Sequence, residues 1–368
     1  MYIIIIDVII VKIYKGSQNM AYYDGTKLLS LKDKNGETPT IYICTSNRTA
    51  GKTTYFNRLV VNRFIRSGSK FCLLYRYNYE LEGCSVKFFN DIKDLFFPKY
   101  VMTEKKRSKG IYTELFLSKN YDEPGTSCGY AVSLNSADNI KKISHVFNDV
   151  SCILFDEFQS ENNSYVDHEI QKFLSIHKSI ARGKGKQYRE VPVYMISNHV
   201  SLINPYYTEL GISTKLRKES RFLKGSGYVL EQGFNESAAA ASKESGIAKA
   251  FASNKYTQYA NDLIYLNDDD TFIERPVGRS VYIATIKYDD HEYAIREYAE
   301  SNIIYIDEKI DETCKLKISV TIGDHDINYV MVRQYADFIY ILRDYFEHGC
   351  MRFKNMRCKE ALIKLISY

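Results

Sequence analysis

None of the eight cysteines forms a Cys-x-x-Cys pair or joins a Cys/His cluster with zinc spacing. They stand singly at 44, 72, 84, 128, 152, 314, 350 and 358, and Cys44 and Cys152 sit inside apolar runs, where a free thiol behaves as a small hydrophobe. A structural metal site is therefore not expected, and the usage fits a reducing, cytosolic compartment. Long hydrophobic runs are also missing. Residues 2–11 are apolar but interrupted by Asp7, and a membrane span needs ~20 apolar residues. That stretch lacks a basic leader and a small-residue cleavage site, so it does not read as a signal peptide. It reads as an edge strand, or as an upstream extension before a second start at Met20. Charge of one sign does not dominate either: 50 basic against 45 acidic residues leave a net +5, so any nucleic-acid surface has to come from local clustering. Tryptophan is absent, although 32 Tyr and 19 Phe make the chain rich in aromatics, and there is no internal repeat.

What is present suits a soluble globular chain of 368 residues, 45% hydrophobic and 26% charged, long enough for two domains with separate cores. From residue 41 short apolar runs alternate with helical patterns. Residues 41–44 read as a buried strand, and a helix follows from Lys52 to about 67 with apolar Phe56, Leu59, Val60 and Phe64. Residues 71–75, 150–155 and 192–196 read as further strands. Such alternation predicts an α/β domain with a mainly parallel sheet and helices on both faces. After about residue 212 the composition shifts. Lys215, Arg217, Lys218, Arg221 and Lys224 stand against a single Glu219, and an Ala/Ser-rich stretch at 236–251 reads as a short helix or a flexible linker. From 279, residues 280–288, 292–298 and 302–307 alternate as an antiparallel meander, and 332–366 is helical by periodicity. The expected organisation is an extension at 1–23, a P-loop domain at 24–212, a linker region at 213–278 and a small α+β domain at 279–368.

Two motifs carry chemistry. Ser46-Asn47-Arg48-Thr49-Ala50-Gly51-Lys52-Thr53, followed by Thr54, lies between a strand and a helix. In a phosphate loop the backbone N–H groups and the helix N-terminus surround the phosphates, the Lys reaches the β/γ oxygens and the Thr hydroxyl binds Mg²⁺. Gly51-Lys52-Thr53 is intact, whereas Ser46 replaces the first Gly of the pattern. The second motif is Cys152-Ile153-Leu154-Phe155-Asp156-Glu157, an apolar strand that delivers two carboxylates to its C-terminal end, where ligands bind in open α/β sheets. Asp156 is the expected Mg²⁺ ligand and Glu157 the group that polarises the attacking water. Strand-end acids are usually solvated, but here they follow a phosphate loop by about a hundred residues, as in additional-strand P-loop ATPases. Arg48 is a candidate to stabilise γ-phosphate charge in cis. Arg182, in a basic segment at 178–189, is either part of a solvated loop or an arginine finger for a neighbouring subunit's site. Asn198, ending the next strand, is a candidate γ-phosphate sensor. Lys215, Arg217, Lys218 and Arg221 are candidate contacts to DNA phosphates, although a basic linker held by acids elsewhere fits them equally.

These blocks resemble the DNA-encapsidation ATPases of phi-twenty-nine-type short-tailed phages, compact relatives of the large terminase subunits. The resemblance runs through residues 45–54, Asn62-Arg63-Phe64-Ile65, Arg76-Tyr77, residues 153–158, Ile196-Ser197-Asn198 and Asn204-Pro205-Tyr206. More weakly it continues through Phe272-Ile273-Glu274-Arg275, Tyr305-Ile306-Asp307 and Met351-Arg352-Phe353. It implies an ATP- and Mg²⁺-dependent motor, a homo-oligomeric ring of five subunits on the capsid portal that moves double-stranded DNA. It implies no membrane partner and a place in the host cytoplasm, transiently on the procapsid. It places Arg182 where the family has a trans-acting finger, and some relatives act with a packaging RNA. Related loops usually carry Gly where Ser46 and Thr49 stand. For the C-terminal domain it implies an RNase H-like nuclease fold that is vestigial. The residues agree: the strand at 280–288 offers no central acid, and Asp289, Asp290, Asp307, Glu308, Asp324 and Asp326 flank strands rather than converge on two metals. A terminase with a working nuclease and a nucleotide-dependent assembly factor that does not hydrolyse are the competing readings.

Overall fold

The computed structural model describes residues 22–366 apart from 120–123, 163, 184, 186, 214, 217–219, 263–264 and 267–271. The expected extension therefore lies almost wholly outside the described residues. The chain divides into two compact units between residues 267 and 268.

The first unit is built on a nine-stranded sheet. After a short helix, α1 (Thr26–Ser30), its elements run β1 (Ile41–Ser46), α2 (Lys52–Ser67), β2 (Lys70–Tyr75), α3 (Cys84–Phe96), β3 (Val101–Arg107), β4 (Tyr112–Ser118) and β5 (Thr126–Ser133). They continue with α4 (Ala137–Lys142), β6 (Val150–Asp156), α5 (Glu169–Ile180), β7 (Val193–Asn198), α6 (Pro205–Glu209), β8 (Phe222–Lys224) and β9 (Tyr228–Gln232). Three helices end the unit: α7 (Glu236–Lys243), α8 (Gly246–Ala250) and α9 (Lys255–Asn261). The strand order is β3-β4-β5-β2-β6-β7-β1-β9-β8. The six central strands pair in parallel, while β3, β4 and β8 join antiparallel at the two edges.

The strands read as continuous apolar runs because both faces are buried. Along β1, Ile43 packs into one core with Leu74, Phe155, Met195 and Leu230, against Phe173, Ile176 and Ile180 of α5. Its neighbours Tyr42 and Cys44 pack into the other with Leu73, Leu154 and Ile196, against Phe56, Val60 and Val61 of α2 and Phe88, Phe89 and Ile92 of α3. Successive side chains thus feed opposite layers, as the period of two requires. Helix α2 stops at Gly68, whose φ of +68° and N–H to Phe64 O at 2.8 Å close it as a left-handed cap.

The linker expected at 213–278 is not a separate region. Strand β9 pairs in parallel with β1, and residues 236–261 form α7–α9 within the first unit. Tyr228–Gln232 is a buried strand only five residues long, and the basic and Ala/Ser-rich stretches on either side masked it.

The second unit contains β10 (Val281–Tyr288), β11 (His291–Tyr298), β12 (Ile303–Asp307), β13 (Lys317–Ser319), β14 (Val330–Met331), α10 (Ala336–Glu347), β15 (Met351–Phe353) and α11 (Met356–Ile366). Its sheet order is β14-β13-β10-β11-β12-β15. The first three strands form the antiparallel meander, and β13 and then β14 add in parallel beside β10. This 3-2-1-4-5 order is that of an RNase H-like sheet, with β15 added in parallel to β12. Ile286, Ile295, Ile306 and Phe353 of the sheet pack with Ile339 and Leu342 of α10 and Leu362 and Leu365 of α11. The helical pattern at 332–366 is broken by β15, which Gly349 precedes with φ +70°.

Candidate nucleotide-binding site

The loop between β1 and α2 crosses from a strand buried on both faces to the N-terminus of a 16-residue helix. Such a terminus leaves backbone N–H groups without intrahelical partners and carries partial positive charge, so it favours anions. Gly51 takes φ +90°, and a Cβ there would stand 2.8 Å from Cδ1 of Tyr22, so glycine is required on two counts. Thr49, where related loops place glycine, also takes a left-handed φ of +59°. For a β-branched residue that conformation is strained by roughly 1–2 kcal/mol. Contacts from the rest of the unit hold it. Asn47 exchanges hydrogen bonds with the backbone of Asn235 at 2.9 and 3.2 Å, Asn235 Nδ2 donates to Ala50 O at 3.3 Å, and the Tyr23 N–H donates to Ala50 O at 2.8 Å. Ser46, Asn47 and Ala50 are buried; Thr54 is half-buried in the first turn of α2.

Lys52 points into the sheet end. Its Nζ donates to Asn198 Oδ1 at 2.6 Å, so the lysine and the expected sensor meet, as β1 and β7 are neighbours in register from Ile41–Val193 to Ser46–Asn198. Burial lowers the Lys52 pKa, and the nearby Asp156 and Glu157 oppose that shift. Asp156 ends β6, on the far side of β7 from the loop strand. Burial and the neighbouring Glu157 push its carboxyl up to about 6, against the opposing pull of Lys52 and a hydrogen bond from the Thr53 hydroxyl. Thr53 and Asp156 are hard oxygen donors already in contact, a set that suits Mg²⁺.

Glu157 sits one residue beyond the strand with φ +54°, its N–H turned back onto Asp156 Oδ1 at 2.9 Å, and its side chain exposed. Arg76 fixes this turn from behind. It donates to Glu157 O at 3.3 Å and Phe158 O at 2.6 Å, and it forms a buried ion pair with Glu169 at 3.1 Å. Glu169 is held in turn by the Tyr206 hydroxyl at 2.9 Å and the Val166 N–H at 2.9 Å. In front of Glu157 lies a cleft of about 430 Å³ whose walls include Arg48, Arg76, Gln159, Glu161 and Asn198. Arg48 pairs there with Glu161 at 2.8 Å. Glu161, Tyr256 and Tyr259 were not legible as site residues in the sequence. Glu161 follows Glu157 in a polar loop, and the tyrosines come from a helix about a hundred residues further on.

Of the expected site residues, the fold brings together Ser46–Thr54, Asp156, Glu157 and Asn198. It does not bring Arg182 to them. Arg182 is exposed just past the C-terminal end of α5, whose first residue is Glu169, about 18 Å away along a twelve-residue helix. Among the candidate DNA contacts, Lys215 is exposed and Arg221 is ion-paired with Glu231 at 3.0 Å; Arg217 and Lys218 lie outside the described residues. In the second unit three of the candidate acids are paired with cations: Asp307 with Arg296 at 3.1 Å, Glu308 with Lys354 at 2.5 Å, and Asp326 with Lys287 at 3.2 Å. Asp324 accepts from the Thr321 hydroxyl at 2.6 Å and the Asp290 N–H at 2.9 Å. Asp289 and Asp290 form the hairpin tip with φ +53° and +58°. Among the described residues no three His, Cys, Asp or Glu side chains converge as metal ligands.

The order β9-β1-β7-β6-β2 puts one strand between the phosphate-loop strand and the strand that ends in Asp156-Glu157. That insertion, with the loop at the end of β1, defines an additional-strand P-loop ATPase fold. The chain belongs to the family of podovirus DNA encapsidation proteins (Gp16), which matches residues 18–367. It is 24% identical to the DNA packaging protein of Bacillus phage phi29 over 322 residues, covering 86% of this chain and 90% of that one. It is also 24% identical to the DNA packaging protein of Bacillus phage B103 over 325 residues, covering 87% and 93%. Its fold is similar to that of a chain in the bacteriophage Phi-29 viral genome packaging motor assembly, with a TM-score of 0.68 at 23% identity over 94% of this chain and 97% of that one. A chain of the Phi-28 gp11 DNA packaging motor is similar at a TM-score of 0.57 and 14% identity, covering 94% and 97%. No helix among the described residues is long and apolar enough to cross a membrane.

Proposed function

We propose that this protein is an ATP-driven motor that moves double-stranded viral DNA into a preformed capsid through the portal, working as a homo-oligomeric ring of five subunits. The observation that carries the reading is the meeting of Lys52, Thr53, Asp156, Glu157 and Asn198 at one end of the sheet, in a chain of an encapsidation family. Lys52 and the N-terminus of α2 hold the β- and γ-phosphates, and Thr53 with Asp156 holds Mg²⁺, which supplies charge neutralisation at the phosphate oxygens. Glu157, exposed at the cleft and fixed by Arg76 through its own backbone, accepts a proton from the attacking water and orients it. Asn198, already bonded to Lys52, reads the terminal phosphate.

Arg182 acts on a neighbouring subunit's site. Its exposure at the end of α5 opposite Glu169 supports this, because a finger that serves another copy has to stand clear of its own cleft. A ring with shared sites follows, and basic loops then grip DNA through phosphates without regard to sequence, as a motor must. Contact with a packaging RNA is a further proposal that rests on the family alone. The second unit serves DNA or capsid contacts rather than cleavage. Support comes from Asp307, Glu308 and Asp326, each paired with a cation, and from Asp324, which is held within a turn. ATP turnover of the purified chain, measured with and without DNA and portal-bearing capsids, tests the reading. We expect stimulation by both and a loss of about 10²–10³-fold in Lys52→Ala. A wild-type chain that turns over no ATP with both present sinks it.

A further inference from the structure

Arg48 lies inside the phosphate loop, yet its contacts come mainly from outside it. Its Nη2 donates to Glu161 Oε1 at 2.8 Å, its guanidinium lies 5.3 Å from the centroid of the Tyr256 ring, and its backbone N–H donates to Ala260 O at 3.3 Å. Glu161 also accepts the hydroxyl of Tyr259 at 2.9 Å and that of Tyr256 at 3.4 Å. Tyr259, which is fully buried, hydrogen-bonds Asn198 as well, and Asn198 accepts from Lys52. The two cations of the loop, Arg48 and Lys52, are therefore joined through α9. One atom of the guanidinium group, the buried Nε, has no hydrogen-bond partner among the described residues. A buried N–H in that condition beside a phosphate loop is available to donate to an oxyanion.

We infer that Glu161, Tyr256 and Tyr259 form a clamp that positions Arg48 toward the terminal phosphates, and that through it α9 responds to what the loop holds. The inference rests on the nucleotide site proposed above. An arginine side chain is flexible, and a cation that must first be ordered contributes less to a developing negative charge than one already fixed. The carboxylate engages one arm of the fork, the Tyr256 ring covers one face, and Nε stays unspent. None of the three residues touches the reacting atoms; they act through Arg48 and are positioning residues.

A double-mutant cycle in the full-length protein tests this, with steady-state ATP turnover under DNA stimulation. Glu161→Gln keeps the shape and removes the charge. It should lower kcat about tenfold while KM moves less than about threefold, and Arg48→Ala should lower kcat further. The double variant should match Arg48→Ala within about twofold, because a clamp has nothing left to position. Tyr259→Phe should repeat the pattern more weakly, and it serves as the second arm if Glu161→Gln does not fold. In hydrogen exchange, ADP should protect residues 255–261 in wild type and not in Arg48→Ala. Losses that multiply in the double variant, or protection that survives Arg48→Ala, overturn the clamp. With Lys52→Ala inactive and wild type active, that outcome leaves the ATPase reading standing; a wild-type chain without turnover removes both.

Discussion

Two Asp-Glu pairs close apolar strands in this chain, Asp156-Glu157 after β6 and Asp307-Glu308 after β12, and the fold treats them in opposite ways. Leu154-Phe155-Asp156-Glu157 and Tyr305-Ile306-Asp307-Glu308 are nearly the same local pattern. In the first unit Asp156 is pushed up to about 6 by burial and by Glu157, and Glu157 is turned out at φ +54° to line a cleft. In the second, Asp307 is locked by Arg296 and Glu308 by Lys354. Burial would raise Glu308, but hydrogen bonds from Lys354 and Asn355 outweigh it and hold the carboxyl below its usual value. A carboxylate left short of partners at a strand end is disposed to take up a metal or a proton. One that already has a cation is structural.

Exchanging carboxylate for amide separates the two pairs most strongly. Glu157→Gln should lower ATP turnover by about 10²–10⁴-fold, whereas Glu308→Gln should leave it within about twofold, with steady-state turnover as the measurement. Comparable losses at both sites would mean that the second pair also serves the reaction. Next in size is the support behind Glu157. Arg76→Ala strands the Glu169 carboxylate in a buried site, so chemical denaturation should show a loss of about 3–5 kcal/mol; the exposed end of the Lys354–Glu308 pair should be worth no more than ~1 kcal/mol.

The smallest effect is one of sign. Asp156 has a raised pKa, so in chelator-treated protein its contribution to stability is full below the ordinary Asp value of ~4 and is lost as pH rises through about 6. Asp156→Asn should therefore raise the metal-free Tm at pH 8 relative to wild type and leave it little changed at pH 4, while abolishing turnover. Glu308 has a lowered pKa, so its contribution is present above the ordinary Glu value and lost as pH falls; Glu308→Gln should lower Tm slightly at pH 8. Thermal scans of both variants at the two pH values decide it.

Much of the fold was legible where one local rule acted alone. The helix at 52–67 and the strand at 150–156 stand where periodicity and apolar runs put them, because both of their faces or stripes are buried in a single pattern. Strand β9 was not legible, since five residues between two glycines and an Ala-rich stretch carry too little period to be read. The edge hairpin β3–β4 escaped for a related reason: three of its residues, Glu104, Lys105 and Lys106, interrupt the apolar alternation on a half-exposed edge. Within the site, the loop and the carboxylates announced themselves by order and spacing. Arg76, Glu161 and Tyr259 did not, because what ties them to the chemistry is contact across roughly eighty to a hundred and ten residues of chain.

That a phosphate loop and a carboxylate pair exist, in what order, and on which kinds of element, follows from the order of residues alone, since strand, turn and helix signals are local. Which of the two Asp-Glu pairs stays free to react depends on the packing of the folded chain. Partners such as Arg296 and Lys354, or Lys52 and Thr53, are chosen by sheet order and register, and a carboxylate's chemistry is set by whatever cation the fold leaves beside it.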